Sequence, residues 1–537
     1  MVTQIKVSPD LPTVSEVISK ARAEDAATAP NIVPLVASFP AEFLNPSSAY
    51  LKLSATSKTK NSFLFESASS RETIGRYSFL GCDPRKIIKT GTGHGEEVDP
   101  LTVLQKELAN YRLAKFAGPS LPPMTGGALG YVAYDCVKYF EPRTKRELKD
   151  PLQIPESLFM ICDTIVAFDH FFQTIKVITH MHIREEEDAT VETLRADYEK
   201  AETDIAEIIK ILQSPEIPLP HQPPIVKGQE YVSNIGREGY ERHVNRLKEH
   251  ITKGDIIQAV PSQRFSRPTS LHPFNIYRHL RTVNPSPYLF YIDCADFQLV
   301  GASPELLVKA ENGRIITHPI AGTVKRGKTS EEDDALAQEL RSSLKDRAEH
   351  VMLVDLARND INRVCDPLTT TVDRLMIVER FSHVMHLVSQ VSGELREGMT
   401  RFDAFRSIFP AGTVSGAPKV KAMELIAELE GERRGVYAGA VGYWGYESDS
   451  MDTCIALRTM TVKDGVAYLQ AGGGIVFDSD PYDEWMETMN KLAANIHCIV
   501  SAEERFGGSE ANAQDLAMVG EEPQRNLSAA VHLGDGS

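Results

Sequence analysis

Short apolar runs separated by turn residues predict mostly β-strands in the first third of the chain, from Asn31 to about Arg184. One helical pattern, TVLQKELANYRLAKF, interrupts them. From Glu185 to Leu212 the sequence becomes acidic and carries opposite charges four residues apart, which is typical of an exposed helix. The strand candidates are NSFLFESAS, YSFLGCDPRKIIKT, GGALGYVAYD, SLFMICDTIVAF and TIKVITHMHI.

Beyond Gly228 the predicted helices and strands follow one another in runs. Helices are predicted for EGYERHVNRLKEHITKGD, for one or two segments within SEEDDALAQELRSSLKDRAEHVMLVDLARNDINRV, for APKVKAMELIAELEG and for YDEWMETMNKLAANIHCIVSAEERF. Strands are predicted for PYLFYIDC, FQLVGASPELLVKA, RIITHPIAGT and HVMHLVSQVSGEL. Because the pattern lacks strict βαβ repeats, it predicts an α+β fold with largely antiparallel sheets.

Composition divides the chain into five parts. Residues 1–30 are polar and are predicted to form a flexible N-terminal arm, followed by the strand-rich region 31–212. Five prolines between Pro215 and Pro224 prevent both a helix and a central strand, so residues 213–228 are a linker or a surface strap. Residues 229–506 form the second region, and the polar residues 507–537 are predicted to be a disordered tail.

The 537-residue chain has a formal net charge of −16. Such a surface repels phosphate backbones and anionic lipids, which argues against nucleic acid and membranes as partners. Seven cysteines without a C-x-x-C pair are typical of reduced thiols, and the first residues lack the apolar core of a signal peptide. We therefore expect a cytoplasmic protein, in which any acidic substrate is held by local cations or a metal.

Two pairs of acids have a spacing that suits a metal. Asp346 and Glu349 are three residues apart, and so are Glu484 and Glu487, so each pair shares one face of a predicted helix. Each pair offers hard oxygen ligands to Mg²⁺. Acids on helices are more often solvated surface residues, and the sequence does not show that the two helices meet.

Three other features have a functional and a structural interpretation. Gly472, Gly473 and Gly474 follow a strand, and they either present backbone N–H groups to an anion or form a bulge or tight turn. His386 lies on a predicted strand, where a lone histidine is more often structural than catalytic. Glu305 follows Ser-Pro among apolar residues, where a raised pKa would suit a general acid, although a surface glutamate is the commoner case.

The segments from about Gly239 to Arg505 resemble the chorismate-utilising enzymes. The motifs that carry this resemblance are GASPELL, PIAGT, DRAEHVMLVDLARND, VMHLVSQVSG, GTVSGAPKVKAMELI, YAGAVGYWGY, DTCIALRT, QAGGGIVFDSDP and ETMNK. The first half, with LFES, GRYSFLGCDP and GGALGYVAYD, resembles the large subunits of anthranilate synthases. The resemblance implies antiparallel sheets that pack as a sandwich flanked by helices.

The resemblance also implies roles for individual residues. Glu349 and Glu487 match the carboxylates that hold Mg²⁺ against chorismate, with Glu484 and Asp346 as helper acids. Glu305 matches the general acid that assists departure of the C4 hydroxyl, and His386 matches the histidine of the second half-reaction, loss of pyruvate. The matched substrate-binding positions are Gly322, Thr323, Tyr437, Arg458, Gly472, Gly473, Gly474 and Lys491.

Two positions distinguish members of this family by their nucleophile. Members that add water to chorismate tend to carry lysine where Gln258 stands, and members that form a covalent adduct tend to carry lysine where Ala321 stands. With neither lysine present, the resemblance implies that ammonia attacks C2 directly and that the product is anthranilate. The chain contains no glutaminase signature, so the implied partner is a separate glutamine amidotransferase subunit, in a heterodimer or heterotetramer.

The resemblance further implies feedback inhibition by tryptophan. LFES and NPSPYLFY match the two halves of an inhibitor site, whose residues in this chain are Glu66, Ser67, Asn284, Pro287, Tyr288 and Leu289.

Two alternatives are weighed against this function. An aminodeoxyisochorismate synthase would stop before pyruvate is lost, and the tryptophan-site residues argue against it. A non-catalytic tryptophan-binding regulatory subunit would have no need of Glu349, Glu487 and His386, all of which are present.

Overall fold

A computed structural model describes residues 6–67, 75–116, 121–184, 191–380 and 384–507. It confirms an α+β fold built on large antiparallel sheets. The helices in the described residues are α1 (Leu11–Glu24), α2 (Pro46–Thr56), α3 (Pro100–Leu108), α4 (Val137–Phe140), α5 (Val191–Leu212), α6 (Gly236–Thr252), α7 (Pro273–Val283), α8 (Ser330–Ser342), α9 (Leu344–Asn362), α10 (Arg401–Ile408), α11 (Lys419–Glu430) and α12 (Pro481–Phe506).

Twelve strands lie between Val7 and Pro268. They are β1 (Val7–Ser8), β2 (Ile32–Pro40), β3 (Ser62–Glu66), β4 (Tyr77–Cys82), β5 (Lys86–Thr90), β6 (Gly127–Val132), β7 (Ser157–Cys162), β8 (Thr164–Asp169), β9 (Thr174–His182), β10 (Val232–Ser233), β11 (Gln258–Ala259) and β12 (Ser262–Pro268).

The other twelve strands belong to the two large sheets, except β20, which pairs with β11 in a separate two-stranded sheet. They are β13 (Tyr288–Asp293), β14 (Gln298–Ser303), β15 (Leu306–Glu311), β16 (Arg314–Thr317), β17 (Ile320–Lys325), β18 (Thr371–Arg380), β19 (Val384–Glu394), β20 (Gly416–Ala417), β21 (Ala440–Gly445), β22 (Met451–Ile455), β23 (Thr459–Lys463) and β24 (Val466–Gly472).

Two sheets pack face to face as a sandwich. One has the strand order β1-β2-β9-β8-β4-β3-β13-β14-β23-β24-β12-β10, and the other has the order β17-β19-β16-β15-β22-β21-β6-β7-β5, with β18 also paired to β19. Side chains of both sheets, among them Phe63, Phe79, Tyr131 and Met160, form the apolar layer between them. Helices α1, α2, α5, α7 and α12 pack on the outer face of the first sheet, and α3, α9, α10 and α11 pack on that of the second.

Each large sheet contains strands from before and from after the proline-rich segment, and in each sheet the two groups meet at one strand pair. Strand β13 pairs with β3, and β21 pairs with β6. Gly228 therefore separates two stretches of chain that share their sheets. The segment 213–228 contains neither helix nor strand, and Gln222 anchors it by donating to Ser270 O (2.9 Å) and accepting from Asn275 Nδ2 (3.0 Å).

Within the predicted N-terminal arm, residues 6–30 contain strand β1 and helix α1. Asp10 caps the first helix, because its carboxylate accepts a hydrogen bond from Thr13 N at 3.0 Å. Val14 and Ile18, one turn apart, are fully or almost fully buried against the first sheet. These two apolar side chains supply the burial that holds the polar segment in place. Residues 508–537, where the disordered tail is predicted, lie outside the described residues.

Candidate active site

The two acid pairs lie on α9 and α12, and the fold brings these helices to one pocket. Asp346 and Glu349 lie in the first turns of α9, and Glu484 and Glu487 lie in the first turns of α12. Burial raises the pKa of Glu349, and the negative charges of Glu487 and Asp346 add to this effect. The meeting of the two pairs, which the sequence left open, is therefore present in the fold.

The carboxylates of this pocket fit a hard divalent cation. Glu484 accepts from Ser479 Oγ at 2.6 Å through Oε1, whereas its buried Oε2 has no hydrogen-bond partner. Across the described residues, no three His, Cys, Asp or Glu side chains form a ready-made metal cluster. Mg²⁺ typically takes one or two protein carboxylates and completes its shell with water and substrate oxygens, so Glu349 and Glu487 suit it.

Gly472 is required by a close backbone contact, whereas the contacts at Gly473 and Gly474 are with the ends of side chains. A β-carbon on Gly472 would lie 2.3 Å from Pro261 O, and one on Gly474 would lie 2.2 Å from Gln258 Nε2. At Gly473 a β-carbon would lie 3.0 Å from Glu484 Oε2. The Gly473 N–H already donates to the Tyr240 hydroxyl at 3.1 Å. Close packing thus accounts for Gly472, and the Gly473 N–H is engaged within the protein.

Two cations lie at the border of the same pocket. Lys491 contacts Glu487 Oε1 at 2.7 Å, one turn away on α12, and donates to Gly472 O at 2.8 Å. Arg458, between β22 and β23, has a left-handed backbone with φ of 48°. Burial lowers the pKa of Arg458, and the neighbouring Glu305 and Tyr437 oppose that shift. These cations are placed to balance substrate carboxylates in an acidic protein.

Glu305 is a buried carboxyl group between β14 and β15. Thr413 Oγ1 donates to its Oε1 at 3.0 Å. Burial raises the pKa of Glu305 to about 8, although Thr413, Arg458 and Lys491 favour the charged form. At neutral pH the group therefore carries a proton, as a general acid requires.

His386 faces a β-bulge between β17 and β19. The register shifts between Ala321 and Val324, and the extra residues Gly322 and Thr323 lie beside the imidazole. His386 Nδ1 donates to Gly322 O at 2.9 Å, which assigns the proton to Nδ1 and makes Nε2 the basic nitrogen. Burial lowers the pKa of His386 to about 4, with a further contribution from Arg458, so the ring is neutral at physiological pH.

The two nucleophile-selecting positions lie in different surroundings. Gln258 donates to Glu349 Oε1 at 3.3 Å, and its buried Oε1 has no hydrogen-bond partner. Ala321 is buried and pairs with Leu387, the strand neighbour of His386. Because side chains alternate along a strand, the methyl group of Ala321 and the imidazole of His386 point to opposite sides of the sheet.

The segments assigned to tryptophan binding lie side by side. Leu289 is the direct cross-strand partner of Glu66. Tyr277 and Arg281, one turn apart on α7, donate to the two oxygens of Glu66 at 2.5 and 2.8 Å. The buried Nδ2 of Asn284, at the end of α7, has no hydrogen-bond partner.

The remaining residues of this set differ in their orientation. Tyr288 precedes Leu289 and therefore points to the opposite side of the sheet, where its hydroxyl donates to Asp452 Oδ1 at 3.1 Å. Ser67 ends the described segment after β3 and packs against Gly75. Pro287 lies between Ser286, which donates to Ser303 O at 2.6 Å, and strand β13.

Sequence reasoning missed three side chains that contact the assigned residues, namely Thr413, Tyr277 and Arg281. The spacing of Tyr277 and Arg281 places them on one helix face, but nothing in the sequence pairs that face with Glu66. Thr413 lies in GTVSGAPK, and only the folded chain brings it to Glu305.

Comparison with known proteins identifies the family of this chain. The model of the chorismate binding enzyme family matches residues 60–497. The chain is 61% identical over 509 residues to anthranilate synthase component 1 of Saccharomyces cerevisiae, covering 94% of this chain and 98% of the yeast protein. It is 56% identical over 506 residues to the probable anthranilate synthase component 1 of Schizosaccharomyces pombe, covering 94% and 99%.

Solved structures give the same result for the fold. Anthranilate synthase component I from Streptococcus pneumoniae aligns with a TM-score of 0.68 at 37% identity, over 80% of this chain and 95% of that one. The menaquinone-specific isochorismate synthase from Escherichia coli shares the fold, with a TM-score of 0.67 at 18% identity over 91% and 100% of the two chains. The chain therefore belongs to the chorismate-binding enzyme family and, within it, to the anthranilate synthase component 1 group.

Proposed function

We propose that this chain converts chorismate and ammonia to anthranilate and pyruvate, the first committed step of L-tryptophan biosynthesis. The membership of the chain among anthranilate synthase components 1 carries the overall reaction. The observation that supports the chemistry is that a protonated Glu305 and a neutral His386 both lie close to Arg458 and Lys491. An acid and a base poised together at neutral pH suit two successive proton transfers.

The first half-reaction adds an amine at C2 and removes the hydroxyl group from C4. Arg458 and Lys491 orient the two carboxylates of chorismate. Ammonia forms a bond to C2, the ring double bonds shift, and the C4–O bond breaks. Glu305 gives its proton to the departing hydroxyl, which leaves as water, and the new ammonium group loses one proton. Mg²⁺ held by Glu349 and Glu487 would supply positive charge against a substrate carboxylate.

The second half-reaction expels pyruvate from the aminated intermediate. His386 Nε2 removes the proton from C2, and the electron pair forms the last double bond of the aromatic ring as the C3–O bond breaks. The departing enolpyruvate takes up a proton and becomes pyruvate. The hydrogen bond from Nδ1 to Gly322 O fixes the tautomer that leaves Nε2 basic.

The source of ammonia and the regulation complete the proposal. A glutamine amidotransferase subunit would deliver ammonia, in a heterodimer or heterotetramer. Tryptophan would inhibit by binding at Glu66 and Leu289, which lie opposite each other on β3 and β13. All seven cysteines are free thiols, as expected in the cytoplasm, our proposed compartment. None of the helices in the described ranges is long and apolar enough to cross a membrane.

Product analysis tests this function. Purified protein with chorismate, MgCl₂ and an ammonium salt should give fluorescent anthranilate and pyruvate in equal amounts, and added tryptophan should suppress both. Formation of isochorismate, or of an aminated product that keeps its enolpyruvyl group, would refute the proposal.

A further inference from the structure

Arg434 and Glu430 form a buried ion pair behind the candidate active site. Arg434 Nε donates to Glu430 Oε2 at 2.8 Å, and Nη2 donates to Oε1 at 2.7 Å. The side chains are only 1% and 8% exposed. Glu430 ends α11, and Gly431 reverses the chain with a left-handed φ of 62°, which lets Arg434 fold back onto the helix end. The guanidinium carbon also lies 4.4 Å from the ring centre of Tyr134.

The other donors of this guanidinium hold two segments that carry site residues. Nη2 donates to Val260 O at 2.7 Å, two residues after Gln258. Nη1 donates to Val414 O at 2.9 Å, next to Thr413, the hydrogen-bond partner of Glu305.

Glu430 and Arg434 each make a further contact near the site, with Ser262 and Tyr437 respectively. Glu430 Oε1 accepts from both the backbone N and the hydroxyl of Ser262, each at 2.8 Å. Tyr437, three residues after Arg434, has its ring centre 5.6 Å from the guanidinium. One ion pair therefore contacts the segments of Gln258, Thr413 and Tyr437.

Stability alone is a weak reason for such a pair. Desolvation of two charges offsets most of their attraction, and apolar residues of similar volume often serve a core as well or better. A planar guanidinium, however, can direct several hydrogen bonds at fixed angles, which neither lysine nor an apolar residue can do. The main role of Arg434 is therefore to fix the backbone positions of the segments that it contacts.

We infer that Arg434, oriented by Glu430, is a positioning residue of the reaction: it fixes the segments of Gln258, Thr413 and Tyr437 relative to one another around the substrate. This inference rests on the proposed function. A positioning role predicts one effect that a role of Arg434 in packing alone does not predict. Release of Val414 loosens the hydrogen bond from Thr413 to Glu305, and because that bond favours the carboxylate, the pKa of Glu305 rises.

The Arg434→Lys variant tests the inference, with Arg267→Lys as its matched control. Arg267 makes an equally buried two-point ion pair with Glu503, at 2.5 and 2.9 Å, joining β12 to the far end of α12. We expect Arg434→Lys to lower kcat by about 10- to 100-fold, with a smaller change in KM for chorismate. The alkaline limb of its pH–rate profile should move to higher pH. Arg267→Lys should keep kcat within about twofold of the wild type, since it contacts none of these segments.

A second variant covers the case in which Arg434→Lys does not fold. Glu430→Gln keeps the shape of the pair and releases the orienting charge, and the same loss of kcat and the same shift of the alkaline limb are expected. Wild-type kcat and pH profile in the folded variant, or an equal loss in Arg267→Lys, would overturn the inference. A wild-type protein that forms no anthranilate would instead refute the proposed function.

Discussion

Burial acts in opposite directions on Glu305 and His386. It penalises the charged form of each group, so the carboxyl keeps its proton while the imidazole loses its own. The raised value of about 8 and the lowered value of about 4 leave a wide interval in which acid and base coexist. Burial is thus the largest cause of both shifts, and it favours the protonated carboxyl and the neutral imidazole together.

The pH dependence of kcat/KM for chorismate follows from these forms. Protonated Glu305 is required, so the rate should fall as pH rises through about 8, whereas neutral His386 is lost only near pH 4. The free ammonia concentration must be held constant, because its fraction rises with pH. A rate that climbs steadily from pH 7 to 10 under this condition would contradict the acid role of Glu305.

Glu349 provides a second test at the residue scale. Exchange to Gln removes a charged oxygen ligand from a hard cation. Turnover should therefore fall by about 100-fold or more, and the Mg²⁺ concentration that gives half-maximal activity should rise. Asp355→Asn on the exposed side of the same helix is the control and should behave like the wild type. An active Glu349→Gln enzyme with an unchanged Mg²⁺ titration would remove Glu349 from the metal site.

At the scale of elements, helix α7 supports the segments assigned to tryptophan binding. It presents Tyr277 and Arg281 to Glu66, and its last turn leads to Asn284. The adjoining β13–β14 hairpin then runs towards the general acid, because Ser286 donates to Ser303 O and Ser303 Oγ accepts from Glu305 N at 3.3 Å. These hydrogen bonds tie the loop that precedes β13 to the segment of Glu305.

Tyr277→Phe should weaken inhibition by tryptophan while leaving the uninhibited rate near that of the wild type. The buried Glu66 would lose its 2.5 Å hydrogen bond, and a bond of this kind to a charged group is worth about 1.5–3 kcal/mol, or roughly tenfold or more in the inhibition constant. Arg278→Met, on the same helix but without contact to Glu66, is the control. Unchanged tryptophan inhibition in Tyr277→Phe would exclude Glu66 as the anchor.

Elements with strong local signals were predictable from the sequence. Pro418 and Gly431 bound α11 as the N-cap and C-cap residues, as their chemistry predicts. The strand β19 and the acid-bearing starts of α9 and α12 were also placed correctly. The helix α1 was missed, because its polar sequence shows few apolar positions and its stability comes from tertiary burial of Val14 and Ile18.

The sequence identifies candidate site residues, but their arrangement follows only from the fold. Local periodicity does not show that the acids of α9 and α12 share a pocket, that the Gly473 N–H is engaged by Tyr240, or that Tyr288 points away from Glu66. These facts depend on contacts between segments far apart in the chain. Thr413 and Arg434 were missed for the same reason, since each acts on a residue outside its own segment.

At the scale of the whole molecule, the two halves of the chain complete each other's sheets. Strands β3 and β13 hydrogen-bond in one sheet, and β6 and β21 do so in the other, so each half alone would expose an additional strand edge in each sheet. The inhibitor segments and the catalytic residues consequently belong to one continuous framework.

This framework predicts a single cooperative unfolding transition. Scanning calorimetry should show one peak. The change in intrinsic fluorescence and the loss of activity should occur over the same temperature range as this peak. Two well-separated transitions, one that abolishes tryptophan binding and one that abolishes turnover, would contradict the shared sheets.

The central claim is that Glu305 and His386 divide the reaction into two half-reactions in one pocket. Single-turnover product analysis of His386→Ala and Glu305→Gln tests it most directly. The His386 variant should accumulate an aminated product that still carries its enolpyruvyl group, and the Glu305 variant should leave chorismate unreacted. Anthranilate formed by the His386 variant at the wild-type rate would contradict the claim.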